Sequence, residues 1–136
     1  MPSQQDIGLA IKRLQWRHHR EANRRLTAAA GLSLVQWDVL RHLHHRPDLS
    51  LHAVAEATFQ TDQSMGELAK RMSARGLLKR VEGPGRAIRH TLTDEGISAY
   101  KAGSGILDDV LSETIGKLSV KDRATLFDLI EKALTG

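Results

Sequence analysis

MGELAKRMSARGLLKR (Met65–Arg80), followed by VEGPGRAIRHTLT (Val81–Thr93), is the stretch whose reading decides the fold. Leu68 and Met72, then Leu77 and Leu78 beyond Gly76, give a short helix an apolar side at i, i+4 spacing. Lys70, Arg71, Arg75, Lys79 and Arg80 fall mainly on its other side and at its exit. Two β-like runs flank Gly83-Pro84-Gly85, a tight-turn composition, with Arg86 at the tip and Arg89 and His90 beyond it. A basic helix beside a two-stranded ribbon with an arginine at its tip matches a winged helix on duplex DNA. The helix enters the major groove and the wing follows the minor groove.

The rest of the chain fits that lobe. Its 136 residues allow one domain with a sizeable core, and aromatics at 4% make that core mostly aliphatic. The formal charge of +4 is segregated: Ala10–Arg25 and Lys70–Arg89 are basic, whereas acid outnumbers base from Asp94 onward. Such segregation suits a polyanion at one face. With no cysteine, disulfides and thiolate metal sites are excluded. No apolar run approaches the roughly 20 residues of a membrane helix, and the N-terminus lacks a signal pattern. A cytoplasmic protein with no membrane association is expected.

Outward from the deciding stretch, a first helix is expected from about Gln5 to Ala30, stopped by Gly31, with Ile7, Ile11, Leu14 and Leu26 buried. Ser33 caps a second helix (Ser33–His45) that ends before Pro47, with Leu34, Trp37, Val39, Leu40 and Leu43 in the core. Ser50 caps a third, through Thr58, burying Leu51, Val54 and Ala55. Thr61 or Asp62 caps the fourth, to about Arg75, completing a helix-turn-helix. Thr93 opens a long fifth helix, with Asp94 and Glu95 placed favourably against its dipole. Ile97, Tyr100, Ile106, Leu107, Val110, Leu111 and Ile115 are its apolar positions, and Gly103-Ser104-Gly105 is expected to kink or fray it. Ser119 caps a sixth, whose broad apolar face is Val120, Leu126, Phe127, Leu129, Ile130 and Leu134. The fold class is therefore mainly α with a small β-hairpin wing. Residues 31–93 form a winged helix-turn-helix lobe inside a single domain of residues 1–136. The helices of 1–30 and 94–136 carry more apolar surface than the lobe can use and are assigned to dimerisation. A two-fold homodimer would present two fourth helices to successive major grooves, and so read a pseudo-palindromic site.

Three segments, GLSLVQWDVLRHL (Gly31–Leu43), SMGELAKRMSARGLLKR (Ser64–Arg80) and GRAIRHTLTDEG (Gly85–Gly96), resemble the MarR family of bacterial winged-helix regulators. Leu-Ser-Leu-x-Gln-Trp-x-Val-Leu opens the second helix. Leu68, Met72 and Gly76-Leu77 end the fourth, and Arg86 precedes Leu92-Thr93-x-x-Gly96. The resemblance implies a homodimeric DNA-binding regulator, usually a repressor acting near its own gene. It also implies release from DNA when a small, often aromatic or phenolic, ligand enters a cleft between the dimer helices and the DNA-binding lobe. Trp16, His19, Trp37 and Arg41 are the candidate ligand residues. Pro84 stands where the family's wing usually has an acidic residue, and the wing is about two residues short. Gly66 lies inside the fourth helix, and Phe59 occupies a turn position where a small residue is common.

On the fourth helix Thr61, Asp62, Gln63, Ser64, Glu67 and Lys70 are the candidates to face base edges. Gln63 suits adenine, Lys70 guanine and Glu67 cytosine. Arg71, Arg75, Lys79 and Arg80 are candidate phosphate clamps. Arg86 is the first choice for the minor groove, with Arg89 beside it. Seven histidines raise a metal-responsive alternative. Yet adjacent histidines such as His18-His19 and His44-His45 point about 100° apart on a helix, and no HExxH pair occurs, so no metal ligand is assigned. His42 with His45, or His18 with Glu21 or Asn23, would need a further segment to complete a site. Nor is there a nucleophile elbow, a phosphate-cradling glycine loop or a carboxylate pair, so neither enzymatic activity nor a cofactor is expected. A winged-helix protein-interaction module that binds no DNA is the remaining alternative.

Overall fold

The computed structural model describes residues 1–82, 85 and 87–136. Gly83, Pro84 and Arg86 lie outside the described residues, and with them the expected wing-tip turn and its arginine. Among the described residues, six helices and one hairpin follow in the order α1 (Gln4–Ala30), α2 (Leu34–His45), α3 (Leu51–Ala57), α4 (Asp62–Ala74), β1 (Leu78–Val81), β2 (Arg89–Leu92), α5 (Asp94–Ser112) and α6 (Val120–Leu134). A single 3-10 turn, Ile115–Lys117, joins the last two helices.

Short polar side chains set where each helix begins. Ser3, Ser33, Ser50, Thr61, Thr93 and Ser119 each accept a hydrogen bond from the backbone N–H three residues on, satisfying a donor that the helix itself cannot. Ser3 with Asp6 and Ser33 with Gln36 complete reciprocal capping boxes. Gly31 closes α1 at φ 64°, a left-handed conformation that suits glycine at this position. Phe59 adopts φ 60° in the turn between α3 and α4, and its ring is exposed.

The core joins the end of α1 to the helix-turn-helix. Leu26, Leu32, Val39, Leu40, Val54, Met65 and Met72 are almost wholly buried, with Trp37, Leu43, Leu49, Leu68, Leu77 and Leu78 around them. The expected core of α2 is present, except that Leu34 is only half-buried. The hairpin is antiparallel, with Leu78 opposite Leu92 and Arg80 opposite His90. Its outgoing strand is braced from behind: Ser50 bridges to Arg89, and Leu51 N–H donates to the Ile88 carbonyl at 2.8 Å. The start of α3 therefore acts as a third, minimal strand at the base of the wing.

Two expectations are corrected here. Gly103-Ser104-Gly105 does not interrupt α5, which runs unbroken from Asp94 to Ser112. Gly103 is buried because Trp37 packs onto it, and a Cβ there would stand 2.2 Å from Trp37 Cδ1. Ile7, Ile11 and Leu14, expected to be buried, are exposed in the single chain, as are Leu9 and Trp16. Val120, Phe127, Leu129, Ile130 and Leu134 of α6 are exposed as well. Among the described residues nothing covers these apolar faces.

Candidate nucleic-acid interface and effector cleft

α4 is divided along its length. Met65, Leu68, Ala69 and Met72 are buried, while Thr61, Asp62, Gln63, Ser64, Glu67, Lys70 and Arg71 are exposed. The apolar stripe seats the helix on the lobe and turns the polar face outward. Lys79 and Arg80 on β1 and Arg89 on β2 are also exposed. Between α4 and the wing lies a groove of about 500 Å³, lined by Gln63, Glu67, Lys70, Arg80 and His90 among others. The structure thus brings part of the base-reading set together with one of the candidate phosphate clamps.

Other candidates are occupied within the chain. Arg75 Nη1 donates to the Gly31 carbonyl at 2.6 Å, so this guanidinium ties the exit of α4 to the end of α1. Asp62 accepts from His52 Nδ1 at 2.8 Å. Neither bond was legible in the sequence, because each partner lies on another element. Gly66 has open space where a Cβ would stand, so no packing contact among the described residues requires a glycine there. His90, beneath the wing, is buried and its Nδ1 has no hydrogen-bond partner among the described residues. Burial, reinforced by Arg80, lowers its pKa and so favours the neutral ring.

A second concavity, of about 690 Å³, opens between α2 and α5 beside α1. Trp37, Tyr100, Leu34, Leu107 and Leu111 give it an apolar and aromatic wall, while Asp38, Arg41, His18 and His45 supply polar groups. Trp37 stacks on Tyr100 with ring centroids 5.9 Å apart and donates from Nε1 to the Tyr100 carbonyl at 3.1 Å. His45 and Tyr100 share a 3.2 Å hydrogen bond, and Arg41 lies 5.9 Å from the Trp37 ring centroid. Burial raises the pKa of Asp38, against the opposing pull of Arg41 and His19. Of the four expected ligand residues, Trp37 and Arg41 line this cleft. Trp16 and His19 do not: they stack on each other along α1, 5.7 Å between centroids. His18 takes the place expected of His19, consistent with the 100° between neighbours on a helix. Its Nε2 is held by Thr114 Oγ1 at 2.6 Å. Tyr100 and Asp38 were missed as cleft residues, although their helices were placed correctly. Among the described residues, no three histidine or carboxylate side chains converge on a common metal position.

A helix-turn-helix with a hairpin wing, an outward polar recognition helix and flanking helices with bare apolar faces defines a winged-helix regulator. The MarR family model matches residues 30–87. The transcriptional regulator HosA of Escherichia coli O111:H- is 30% identical over 105 residues, spanning 76% of this chain and 78% of that protein. The chain belongs to the MarR family and is a transcriptional regulator. Among solved structures, a mutant Escherichia coli MarR complexed with operator DNA superimposes with a TM-score of 0.80 at 18% identity, covering 94% of this chain and 93% of that one. PcaV from Streptomyces coelicolor, in complex with its natural ligand, gives a TM-score of 0.73 at 27% identity, covering 93% and 89%. Among the described residues no helix is long and apolar enough to cross a membrane.

Proposed function

We propose that the chain is a cytoplasmic homodimeric repressor of a pseudo-palindromic operator, and that a small aromatic ligand in the α2–α5 cleft weakens its hold on DNA. The observation that carries the DNA reading is the division of α4, with its apolar stripe buried and Thr61, Gln63, Ser64, Glu67, Lys70 and Arg71 turned outward. In this reading Gln63, Glu67 and Lys70 face base edges, and Arg71, Lys79 and Arg80 hold phosphates. Arg86 enters the minor groove with Arg89 behind it. Arg75 and Asp62 act through the partners they hold within the chain. The bare apolar faces of α1 and α6 support the dimer, since contiguous apolar surface of this kind marks association. An aromatic-walled cleft with a few convergent polar groups, in a family with ligand-bound neighbours, supports the effector.

The test is fluorescence anisotropy with labelled duplex from upstream of the protein's own coding sequence, beside a scrambled duplex, across a salt series. Tighter binding of the native duplex is expected, and equal binding of both would refute a sequence-specific regulator with a nearby operator. Arg86→Ala is expected to weaken binding while sedimentation still reports a dimer. Lys70→Ala is expected to relax preference at one position per half-site, and a uniform loss across sequences would make Lys70 a phosphate contact instead.

A further inference from the structure

His52, on the first turn of α3, has a carboxylate beside each ring nitrogen. Its Nδ1 lies 2.8 Å from Asp62 Oδ1 at the start of α4, and its Nε2 lies 2.7 Å from Glu56 Oε1 one turn along α3. An ionised carboxylate only accepts hydrogen bonds, and a neutral imidazole has a single N–H to give. Donating toward both carboxylates at once would take the imidazolium. Two carboxylates flanking one ring favour its charged form, and the direction of its titration agrees. The pKa of His52 is raised above 6.5, chiefly by the hydrogen bond to Asp62, with Glu56 adding to it.

The location gives this ion group a consequence. Ser50, Leu51, His52, Asp62, Gly66, Ala87 and Ile88 surround a hollow of about 360 Å³ between the mouth of α4 and the base of the wing. Ala87 and Ile88 bring no charge to it, so among the described residues the charges facing His52 are Asp62 and Glu56. Gly66 and Asp62 also border the groove of Gln63, Lys70 and Arg80. A bare carboxylate at this edge would repel DNA phosphates, and an imidazolium bound to it cancels that charge.

We propose that His52 is a positioning residue for DNA recognition: its imidazolium ties the start of the recognition helix to α3 and masks Asp62, so DNA affinity falls as pH rises. The sign follows from the raised pKa. The charged ring is present below it and is lost as pH rises through it, leaving Asp62 without that counter-charge at the edge of the groove. The groups are exposed, so the effect is modest, about threefold per recognition helix and roughly tenfold for two helices on one operator.

This inference rests on the DNA-binding reading, and its test separates the two. Anisotropy with the upstream duplex is measured from pH 6 to 8.5 at constant ionic strength for wild type, His52→Gln and Asp62→Asn, while NMR follows the His52 ring protons without DNA. In the wild type, affinity is expected to fall by about tenfold across the range. His52→Gln is expected to match wild type at pH 8.5 and bind more weakly at pH 6. Asp62→Asn is expected to flatten the profile and bind more tightly than wild type at pH 8.5, an outcome that mere loss of a structural bond would not produce. The NMR titration is expected above 6.5, the value of an unperturbed histidine, and to drop in Asp62→Asn. An ordinary titration overturns the imidazolium assignment whatever DNA does. A raised titration with parallel pH profiles in all three proteins overturns the link to DNA. Failure of wild type to bind any duplex at low salt refutes the DNA reading and this role with it, while the titration still reports on the ion group.

Discussion

Replacing Gly103 with alanine sets two effects of opposite sign against each other. In a helix interior alanine is favoured over glycine by about 0.5–1 kcal/mol, so at an open position the change would stabilise. Here the new methyl would lie 2.2 Å from Trp37 Cδ1 and 2.6 Å from Trp37 Nε1, both atoms of a buried, rigid ring. Relieving that overlap means rotating the indole or separating α5 from α2, which costs about 1–3 kcal/mol in a packed core. The displacement also strains the Trp37 Nε1 bond to the Tyr100 carbonyl, worth about 1 kcal/mol. The steric and hydrogen-bond terms outweigh the propensity gain, and the net expectation is a loss of about 2 kcal/mol. At this chain length that lowers Tm by roughly 6–10 °C. Thermal unfolding by circular dichroism, at matched protein concentration because the proposed dimer links Tm to concentration, measures it. Tryptophan emission reports independently on the displaced indole. A Tm equal to or above that of wild type would refute the packing argument.

Gly66→Ala is the matched contrast: no obstacle stands within 4 Å of the new methyl, so stability should rise by about 0.5–1 kcal/mol in urea unfolding. A decrease would mean that α4 is packed differently. Arg75→Ala should lower stability by about 1 kcal/mol through loss of the Gly31 bond while leaving the salt slope of DNA binding unchanged. Arg71→Ala should instead reduce that slope by about one per protomer, and an identical loss from Arg75→Ala would make Arg75 a phosphate clamp after all. His90→Leu removes a buried nitrogen without a partner among the described residues and should stabilise the lobe, more at pH 5.5 than at pH 7.5. The sign follows because the lowered pKa makes the unfolded chain bind the extra proton, so wild-type stability falls with acidity. A pH-independent difference between wild type and His90→Leu would show that the ring is not held neutral by burial.

The limits of the sequence reading follow from how far apart interacting residues lie. Caps are local, and each expected serine or threonine cap was found because the hydroxyl and its N–H partner are three residues apart. Apolar periodicity is local too, but it gives direction without saying what fills it. That is why Ile7 and Ile11 have the spacing of buried residues and yet stand exposed on this chain. Glycine is ambiguous for the same reason. Gly66 and Gly103 both lie in helices, and only the position of Trp37, 66 residues before Gly103, makes the second one necessary. The charged residues were hardest to assign. Asp62 and Arg75 read as DNA contacts because a basic helix with polar ends looks like one continuous surface. Each is held by a partner on another element, His52 of α3 for the first and the Gly31 carbonyl just beyond α1 for the second. The exposed polar residues left on α4 are those whose side chains find no such partner among the described residues, Gln63, Ser64, Glu67, Lys70 and Arg71. Polar groups kept outward on a rigid helix with nothing of their own chain to bind are what an intermolecular contact surface requires, and they carry the DNA assignment further than total charge could.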